Sequence, residues 1–353
     1  MRSPSLLETL QAHGAQLGRE EPAEVQHYGD PGAEASQGAE RGGVRDQSTH
    51  GRVRLAGSDR LPFLNGQCTA DLLKLSDSSA AVAVMTTVKG RVIDLVRIAE
   101  DGESLLLVTS PGQGSTVTET LRSKVVMEDC ALSDASEDWA SLLAFGPNAP
   151  NAVQTVFGSA PEPREDGYGL VRCSWGGDSV LAFATRAPSG GIELLLPPAR
   201  AGEAFDALTA AGLHPVGEEA FDQLRIEEGM QALGHEMGDH TNPLEAGLQY
   251  AVSFTKGCYV GQEVVARLHS RGKVKRQLVG LRFPLDADPA DLDELFWDLL
   301  RVGNISSAVR SPRLGATIAL ALIKSDYGKA GTPVYSVKNS ARIEGEVSAL
   351  PFA

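Results

Sequence analysis

Eight residues in the second half of the chain, Lys-Gly-Cys-Tyr-Val-Gly-Gln-Glu at 256–263, combine the side chains of a chemical site. Cys258 supplies a thiol, and the ammonium group of Lys256 favours the thiolate, which is the nucleophilic form. The two glycines of this octapeptide allow positive φ angles or a close approach of the backbone to a ligand. No packing rule requires such a mixture, so the octapeptide predicts a reactive thiol beside a binding surface. The alternative is a Cys258 that is merely packed.

A basic segment follows the octapeptide. It contains Arg267, Arg271, Lys273, Lys275 and Arg276, in a chain whose formal net charge is −14. Charge close to a cleft steers ligands more effectively than the total charge of a protein does. The segment therefore predicts attraction of an anionic ligand, whereas the acidic total argues against direct binding of nucleic acid.

Two carboxylates are further candidates. Asp94 interrupts the apolar run Val92–Val96, either on a solvated face or in a cavity where desolvation raises its pKa enough for proton exchange with a ligand amine. Glu193 follows Gly190 and Gly191. It either accepts hydrogen bonds from a pterin-like ring or begins a strand in solvent.

Metal sites have little support in the sequence. The segment His-Glu-Met-Gly-Asp-His at 235–240 has one residue more than the zinc-binding H-E-x-x-H pattern, so its imidazoles would not share a helix face. Cys68, Cys130, Cys173 and Cys258 form no C-x-x-C pair. We predict loop histidines and no metal ligands, with the first three cysteines buried as small apolar side chains.

The elements that must position these residues follow from the hydrophobic pattern. Residues 6–17 predict a short helix and residues 18–50 an irregular arm, and the whole segment 1–50 is expected to pack on the core. Residues 51–145 and 146–275 each predict an α+β subdomain with helices on one face of a sheet. At 353 residues the chain is long enough for two or three such units.

Residues 276–353 predict a small antiparallel β-barrel. Five strand candidates lie in it, at 278–283, 301–307, 317–323, 333–337 and 343–347. The segment 286–300 contains acidic and apolar side chains together, and we predict a short amphipathic helix on the barrel there. Because no run of about 18 apolar residues occurs and the N-terminus lacks the apolar core of a signal peptide, we expect a cytoplasmic protein with no membrane span.

Several stretches resemble a known family, the folate-binding proteins built like the aminomethyltransferase (T-protein) of the glycine cleavage system. The octapeptide is similar to the K-G-C-[FY]-x-G-Q-E signature of the YgfZ-type branch of that family. Residues 224–229 and 242–248 are similar to the shared L-R-x-E-x-G and P-x-E-x-x-L segments. The resemblance spans almost the whole chain.

This resemblance implies two ferredoxin-like α+β subdomains and a C-terminal antiparallel β-barrel arranged as a ring, with tetrahydrofolate in the central hole. Glu193 matches the glutamate that holds the pterin, and Arg225 matches the arginine of the helix that borders the folate site. Asp94 falls at or beside the aspartate near the reactive folate nitrogen. Tyr259 and Gln262 of the octapeptide are expected to contact the same cofactor.

Two functions follow from the resemblance. The first is a monomeric folate-binding protein that supports synthesis or repair of iron–sulfur enzymes, including tRNA-modifying ones, with Cys258 as the functional thiol. The alternative is an aminomethyltransferase that passes a one-carbon unit from an aminomethyl-lipoyl carrier to tetrahydrofolate, with Asp94 as the polarising group. Leu95 stands where aminomethyltransferases have a second acid, and residues 185–189 depart from their Gly-Tyr-Thr-Gly-Glu loop. Both departures favour the first function.

Overall fold

The computed structural model describes residues 2–19, 23–164, 167–338 and 341–352. Within these ranges the α-helices are α1 (Pro4–Ala12), α2 (Pro31–Glu40), α3 (Arg60–Gln67), α4 (Gly114–Arg122), α5 (Ala149–Phe157), α6 (Ala201–Ala210), α7 (Glu218–Glu227) and α8 (Gln262–Ser270). The strands of the N-terminal 220 residues are β1 (Gln16–Leu17), β2 (Val25–His27), β3 (Gly43–Asp46), β4 (His50–Ala56), β5 (Ser79–Thr86), β6 (Val92–Asp101), β7 (Ser104–Pro111), β8 (Ala131–Asp134), β9 (Ala140–Phe145), β10 (Pro163–Arg164), β11 (Gly167–Trp175), β12 (Asp178–Thr185), β13 (Gly191–Leu196) and β14 (His214–Pro215). The later strands are β15 (Arg276–Phe283), β16 (Glu294–Trp297), β17 (Leu300–Ser311), β18 (Ala316–Lys324), β19 (Pro333–Lys338) and β20 (Ala341–Ser348).

The chain divides into two compact units. The first comprises Met1–Met85 and Asp94–Phe221, and the second comprises Thr86–Ile93 and Asp222–Ala353. The short segment Thr86–Ile93 therefore belongs to the second unit, although the strands on either side of it lie mostly in the first.

A twelve-stranded sheet organises the first unit. Its order is β14-β3-β9-β13-β12-β11-β5-β6-β7-β4-β8, with β10 paired to β11. Two halves of this sheet, β14 to β11 and β5 to β8, are joined edge to edge, because Tyr168 of β11 pairs with Ala80 of β5. Helices α1, α5 and α6 bury leucine, valine, alanine and phenylalanine side chains against β3, β9, β12 and β13.

The prediction of an irregular arm over residues 18–50 is wrong for much of that segment. Helix α2 begins after Asp30, whose side chain caps the helix by accepting from the backbone N–H groups of Gly32 and Ala33. Strand β3 then pairs with β9 inside the sheet. Small residues make α2 weakly periodic, so tertiary packing rather than propensity decides its conformation.

A closed antiparallel barrel forms most of the second unit, which confirms the predicted C-terminal barrel. Its order is β15-β18-β17-β16-β19-β20, and it closes through the pairing of Gly280 with Ser348. All five predicted strands are present. The predicted helix over 286–300 is wrong: the segment contains β16, which pairs with β17 and β19 and points the buried Leu295 into the barrel core. A short apolar run fits either period, and the two neighbouring strands decide it.

Candidate functional site

The octapeptide packs against the turn between β5 and β6, within the second unit. Gly261 has φ +83°, and a Cβ atom there would lie 2.5 Å from Oγ1 of Thr86 and 2.7 Å from the carbonyl oxygen of Thr87. Oγ1 of Thr86 donates a hydrogen bond of 2.6 Å to the carbonyl of Val260. Glycine is therefore required at 261 for both conformation and space.

Lys256 and Tyr259 anchor the octapeptide. Both are buried, and Nζ of Lys256 lies 5.4 Å from the centroid of the Tyr259 ring, within the range of a cation–π interaction. Gln262 is the first residue of α8 and is partly buried. The predicted effect of Lys256 on the thiol stays a prediction, as do the predicted folate contacts of Tyr259 and Gln262.

Cys258 is the exposed cysteine of the octapeptide. Cys68 and Cys173 are buried, as predicted, whereas Cys130 is half-exposed, so the prediction of burial is wrong at that position. Burial raises the pKa of Cys173, and burial together with Asp59, Glu128 and Asp129 raises the pKa of Cys130. All four cysteines lie in the described residues, and Cys258 is the most exposed of them.

Glu193 lies at the centre of a buried polar group in the first unit. Its carboxylate is fully buried and accepts a hydrogen bond from Oγ of Ser141. Nε of Arg97 lies 2.9 Å from Oε2 of Glu193. With the amide of Gln47 turned so that both of its atoms are satisfied, its nitrogen donates to the two carboxylate oxygens at 2.9 and 3.1 Å. We call Gln47, Arg97, Ser141 and Glu193 the glutamate cluster, and the solvent-facing alternative for Glu193 is wrong.

Glu193 and Arg97 of this cluster lie in two different rows of side chains across the sheet. One row crosses β3, β9, β13 and β12 through the aligned pairs that join Arg45, Leu143, Glu193 and Phe183. A second row crosses β4, β7 and β6 and carries Arg52, Val108 and Arg97. Three strands separate β13 from β6 along the sheet, so Arg97 reaches Glu193 because the sheet curls and its two halves face each other.

His50 borders the same region. It is buried, and burial followed by the guanidinium groups of Arg97, Arg45 and Arg52 holds its pKa well below the usual range. A neutral imidazole therefore lies among three cations. Sequence reasoning missed Gln47, His50, Arg97 and Ser141, and the one available signal was Arg97 between the apolar residues Val96 and Ile98 of β6.

Asp94 is also fully buried, on β6. Its Oδ1 accepts from the backbone N–H of Leu95 at 2.8 Å and its Oδ2 from that of Ser110 at 3.0 Å. Burial outweighs these hydrogen bonds and raises the pKa of Asp94 to about 6. The alternation of a strand places Asp94 and Arg97 on opposite faces of β6.

The raised pKa of Asp94 gives a direct test. Since the folded state favours the protonated acid, ionisation of Asp94 lowers the free energy of unfolding as the pH rises through about 6. We expect the carboxyl carbon resonance of Asp94 to titrate with a midpoint of about 6. Asp94→Asn, which removes that resonance, provides its assignment. A midpoint near the ordinary value of 3.8 would contradict the environment described here.

Arg225 is held by four acceptors of the second unit. Nε donates to Asp222 at 2.6 Å, and Nη1 donates to the carbonyl of Met230 at 3.1 Å and to Oε2 of Glu236 at 3.0 Å. Nη2 donates to Oγ of Ser307, on β17, at 2.9 Å. The structure thus gives Arg225 a set of partners that ties α7 to the barrel.

Models of two domain families together match most of the chain. The GCVT N-terminal domain matches residues 6–256, and the glycine cleavage T-protein C-terminal barrel domain matches residues 276–353. The chain belongs to the glycine cleavage T-protein family.

Relatives of this T-protein family member carry the names of transferases. An aminomethyltransferase of Rubrobacter xylanophilus is 30% identical over 328 residues, which cover 92% of this chain and 87% of the relative. A putative chloroplastic transferase of Arabidopsis thaliana is 28% identical, over 88% of this chain and 71% of that protein. The crystal structure of aminomethyltransferase T of the glycine cleavage system from Bartonella henselae has a TM-score of 0.83, with 20% identity, and covers 99% of this chain and 97% of that one. At that identity the structural match shows the T-protein fold.

The predicted site residues of this T-protein family member fall in both units. Asp94 and Glu193 belong to the first unit, and Arg225 and the octapeptide to the second. In the part of the chain that the structure describes, no three His, Cys, Asp or Glu side chains are grouped so that they could hold a metal ion. No described helix is both long and apolar enough to cross a membrane.

Proposed function

We propose that this T-protein family member binds tetrahydrofolate and uses the thiol of Cys258 to support iron–sulfur enzymes, including enzymes that modify tRNA. It acts as a monomeric, cytoplasmic YgfZ-type protein rather than as a transferase with a steady turnover. Its partners are the folate and the iron–sulfur client enzymes.

The state of the octapeptide carries this proposal. Gly261 fits a space that excludes any side chain, and Lys256 and Tyr259 are buried against each other. These residues hold the loop in one conformation, whereas the thiol of Cys258 is exposed. A structured loop that presents one thiol to solvent suits reaction with a partner molecule, because access is one of the requirements for thiol chemistry.

The folate part of the proposal is supported by family membership and by Glu193. A buried carboxylate is the group that suits a pterin edge, since two ring N–H donors fit the two oxygens of one carboxylate. Gln47 and Ser141 already donate to these oxygens, so we expect the ring to replace at least one of them.

One observation favours the second candidate, aminomethyl transfer from a lipoyl carrier to tetrahydrofolate. A pKa of about 6 would let Asp94 exchange a proton with a folate nitrogen near neutral pH. The backbone hydrogen bonds to both of its oxygens and its complete burial favour a structural role instead. Formation of methylene-tetrahydrofolate from an aminomethyl-lipoyl carrier, lost in Asp94→Asn, would establish the transferase.

Titration with reduced folate by calorimetry tests the first proposal. We expect micromolar binding to the wild type and binding at least about 100-fold weaker to Glu193→Gln, because one carboxylate oxygen becomes an NH2 donor that opposes a ring N–H and the other acceptor loses its charge. Glu34→Gln is the matched control. Glu34 is likewise a buried carboxylate of the first unit, but it accepts from the backbone of Tyr28 and Gly217.

Two results would contradict the folate proposal. One is the absence of binding to the folded wild type. The other is equal loss of affinity in Glu34→Gln and Glu193→Gln, which would mean that burial of the charge matters and its position does not.

A further inference from the structure

Arg97 has hydrogen-bonding capacity that the protein does not use. Its side chain is only 16% exposed, and its Nε lies 2.9 Å from Oε2 of Glu193 in a direction that makes no hydrogen bond. Nη2 lies 3.5 Å from Oε1 of Gln47 in one orientation of that amide. The orientation in which Gln47 donates to Glu193 removes this acceptor. A guanidinium with five N–H donors is thus paired with Glu193 mainly by charge.

Arg52 shows what a structural arginine looks like in the same region. It is fully buried, and its Nε donates to the carbonyl of Trp139 at 3.1 Å. Its Nη1 donates to the carbonyls of Ser48 and His50, and its Nη2 donates to that of Ser136 at 2.6 Å. Because buried N–H groups are normally satisfied in this way, the unsatisfied Nε–H of Arg97 calls for an acceptor.

Glu193 and Arg97 present complementary chemistry side by side. A carboxylate accepts from N–H groups, and a guanidinium donates to a carbonyl oxygen. In a 2-amino-4-oxopyrimidine ring, which is part of every pterin, the amino group, the ring N–H and the carbonyl oxygen follow one another along one edge. That edge matches an acceptor followed directly by a donor. Glu193 and Arg97 provide this order, since Nε of Arg97 lies 2.9 Å from Oε2 of Glu193.

We propose that Arg97 determines the specificity of the folate site, donating an N–H to the 4-oxo group of the ring while Glu193 accepts from its N–H donors. This inference rests on the proposed folate binding and adds the residue that distinguishes the group at position 4 of the ring. A 2,4-diamino ring presents a donor where the guanidinium also presents donors, so the site rejects it. The competing explanation makes Arg97 only a counter-charge for Glu193. The 4-amino ring also lacks the ring N–H that Glu193 accepts from, so in that case any preference for the 4-oxo ring comes from Glu193 alone and does not change when Arg97 is replaced.

The experiment compares a reduced folate with its 4-amino analogue by calorimetry at mildly alkaline pH, where the analogue is neutral. We expect the wild type to bind the 4-oxo compound about 10- to 100-fold more tightly, because the analogue leaves a buried donor unpaired. Arg97→Gln should lower this ratio by about tenfold or more, since an amide can both donate and accept. Lysine at this position donates hydrogen bonds but accepts none, so Arg97→Lys should keep the preference for the 4-oxo compound.

Arg60→Gln is the control for loss of a guanidinium in the first unit. Arg60 is also mostly buried and lies 3.5 Å from Glu100, and the ratio should not change in this variant. Thermal unfolding of each variant separates misfolding from altered recognition. If Arg97→Gln does not fold, Arg97→Met takes its place, because methionine also removes the donors of the guanidinium and should lower the ratio in the same way.

The outcomes separate the two proposals. Binding that depends on Glu193, with a wild-type ratio near one or a ratio unchanged in Arg97→Gln, overturns the role of Arg97 and leaves folate binding in place. Absence of binding to both compounds, or binding that Glu193→Gln does not weaken, overturns the folate site and the inference with it.

Discussion

Cys258→Ser is expected to fold and to bind reduced folate like the wild type, and yet to lose the ability to sustain iron–sulfur enzymes. The thiol is exposed, so its replacement by a hydroxyl changes the free energy of unfolding by no more than about 0.5 kcal/mol. A hydroxyl is a far weaker nucleophile and metal ligand than a thiol at neutral pH. In cells in which the variant replaces the wild type, iron–sulfur enzyme activity should fall to the level seen without the protein.

Cys130→Ser is the matched control, because Cys130 is also partly exposed. Burial and three nearby acids raise the pKa of Cys130, so little of it is thiolate at neutral pH. We therefore expect iodoacetamide to modify Cys258 before Cys130, and Cys130→Ser to retain full activity in cells. Full activity of Cys258→Ser, or loss of activity in both variants, would show that the octapeptide does not act through its thiol.

The octapeptide could be recognised as a candidate site from the sequence, because its chemical groups are close neighbours along the chain. Thiol, ammonium, aromatic ring and glycines lie within eight residues. The structure shows why position 261 requires glycine: it packs against Thr86 and Thr87, and Thr87 lies 174 residues earlier in the chain. The barrel could be predicted for a similar reason, since each strand has its own alternation of apolar and polar residues and is bounded by turn residues.

The glutamate cluster could not be predicted from the sequence, because it depends on the curl of a sheet. Glu193 and Arg97 are separated by three strands, and no local pattern states that the two halves of the sheet face each other. The prediction of a helix over residues 286–300 was wrong for another reason. Their mixture of acidic and apolar side chains is compatible with an amphipathic helix, but the pairing of β16 with two strands outweighs the preference of a short segment.

Arg225 illustrates a third limit, the difference between a residue that matches a site and one that supports the fold. Family resemblance predicts a folate-bordering arginine, while the structure gives it acceptors on Asp222, Met230, Glu236 and Ser307. Loss of folate binding in an Arg225 variant would therefore not identify a ligand contact. Glu236, within the segment that resembles a zinc motif, is its buried counter-ion.

Replacement of Arg225 by methionine is expected to destabilise the second unit by about 3–5 kcal/mol. Methionine keeps much of the side-chain length but leaves the fully buried carboxylate of Glu236 without its cation. Glu236 retains hydrogen bonds from Ser306 and Ser307 and from the backbone of Ala232, which do not replace a charge. Hydrogen exchange of β17 amides measures the local free energy of opening even if the two units unfold separately.

Arg313→Met is the matched control for this prediction. Arg313 also pairs with a buried carboxylate, that of Glu227 at 2.5 Å, but its own side chain is 52% exposed. Water can replace an exposed guanidinium, so we expect a loss of only about 1 kcal/mol. The double variant Arg225→Met/Glu236→Gln should regain about 2 kcal/mol relative to Arg225→Met, because it removes the unpaired charge. Equal losses in Arg225→Met and Arg313→Met, with no recovery in the double variant, would contradict the structural role of Arg225.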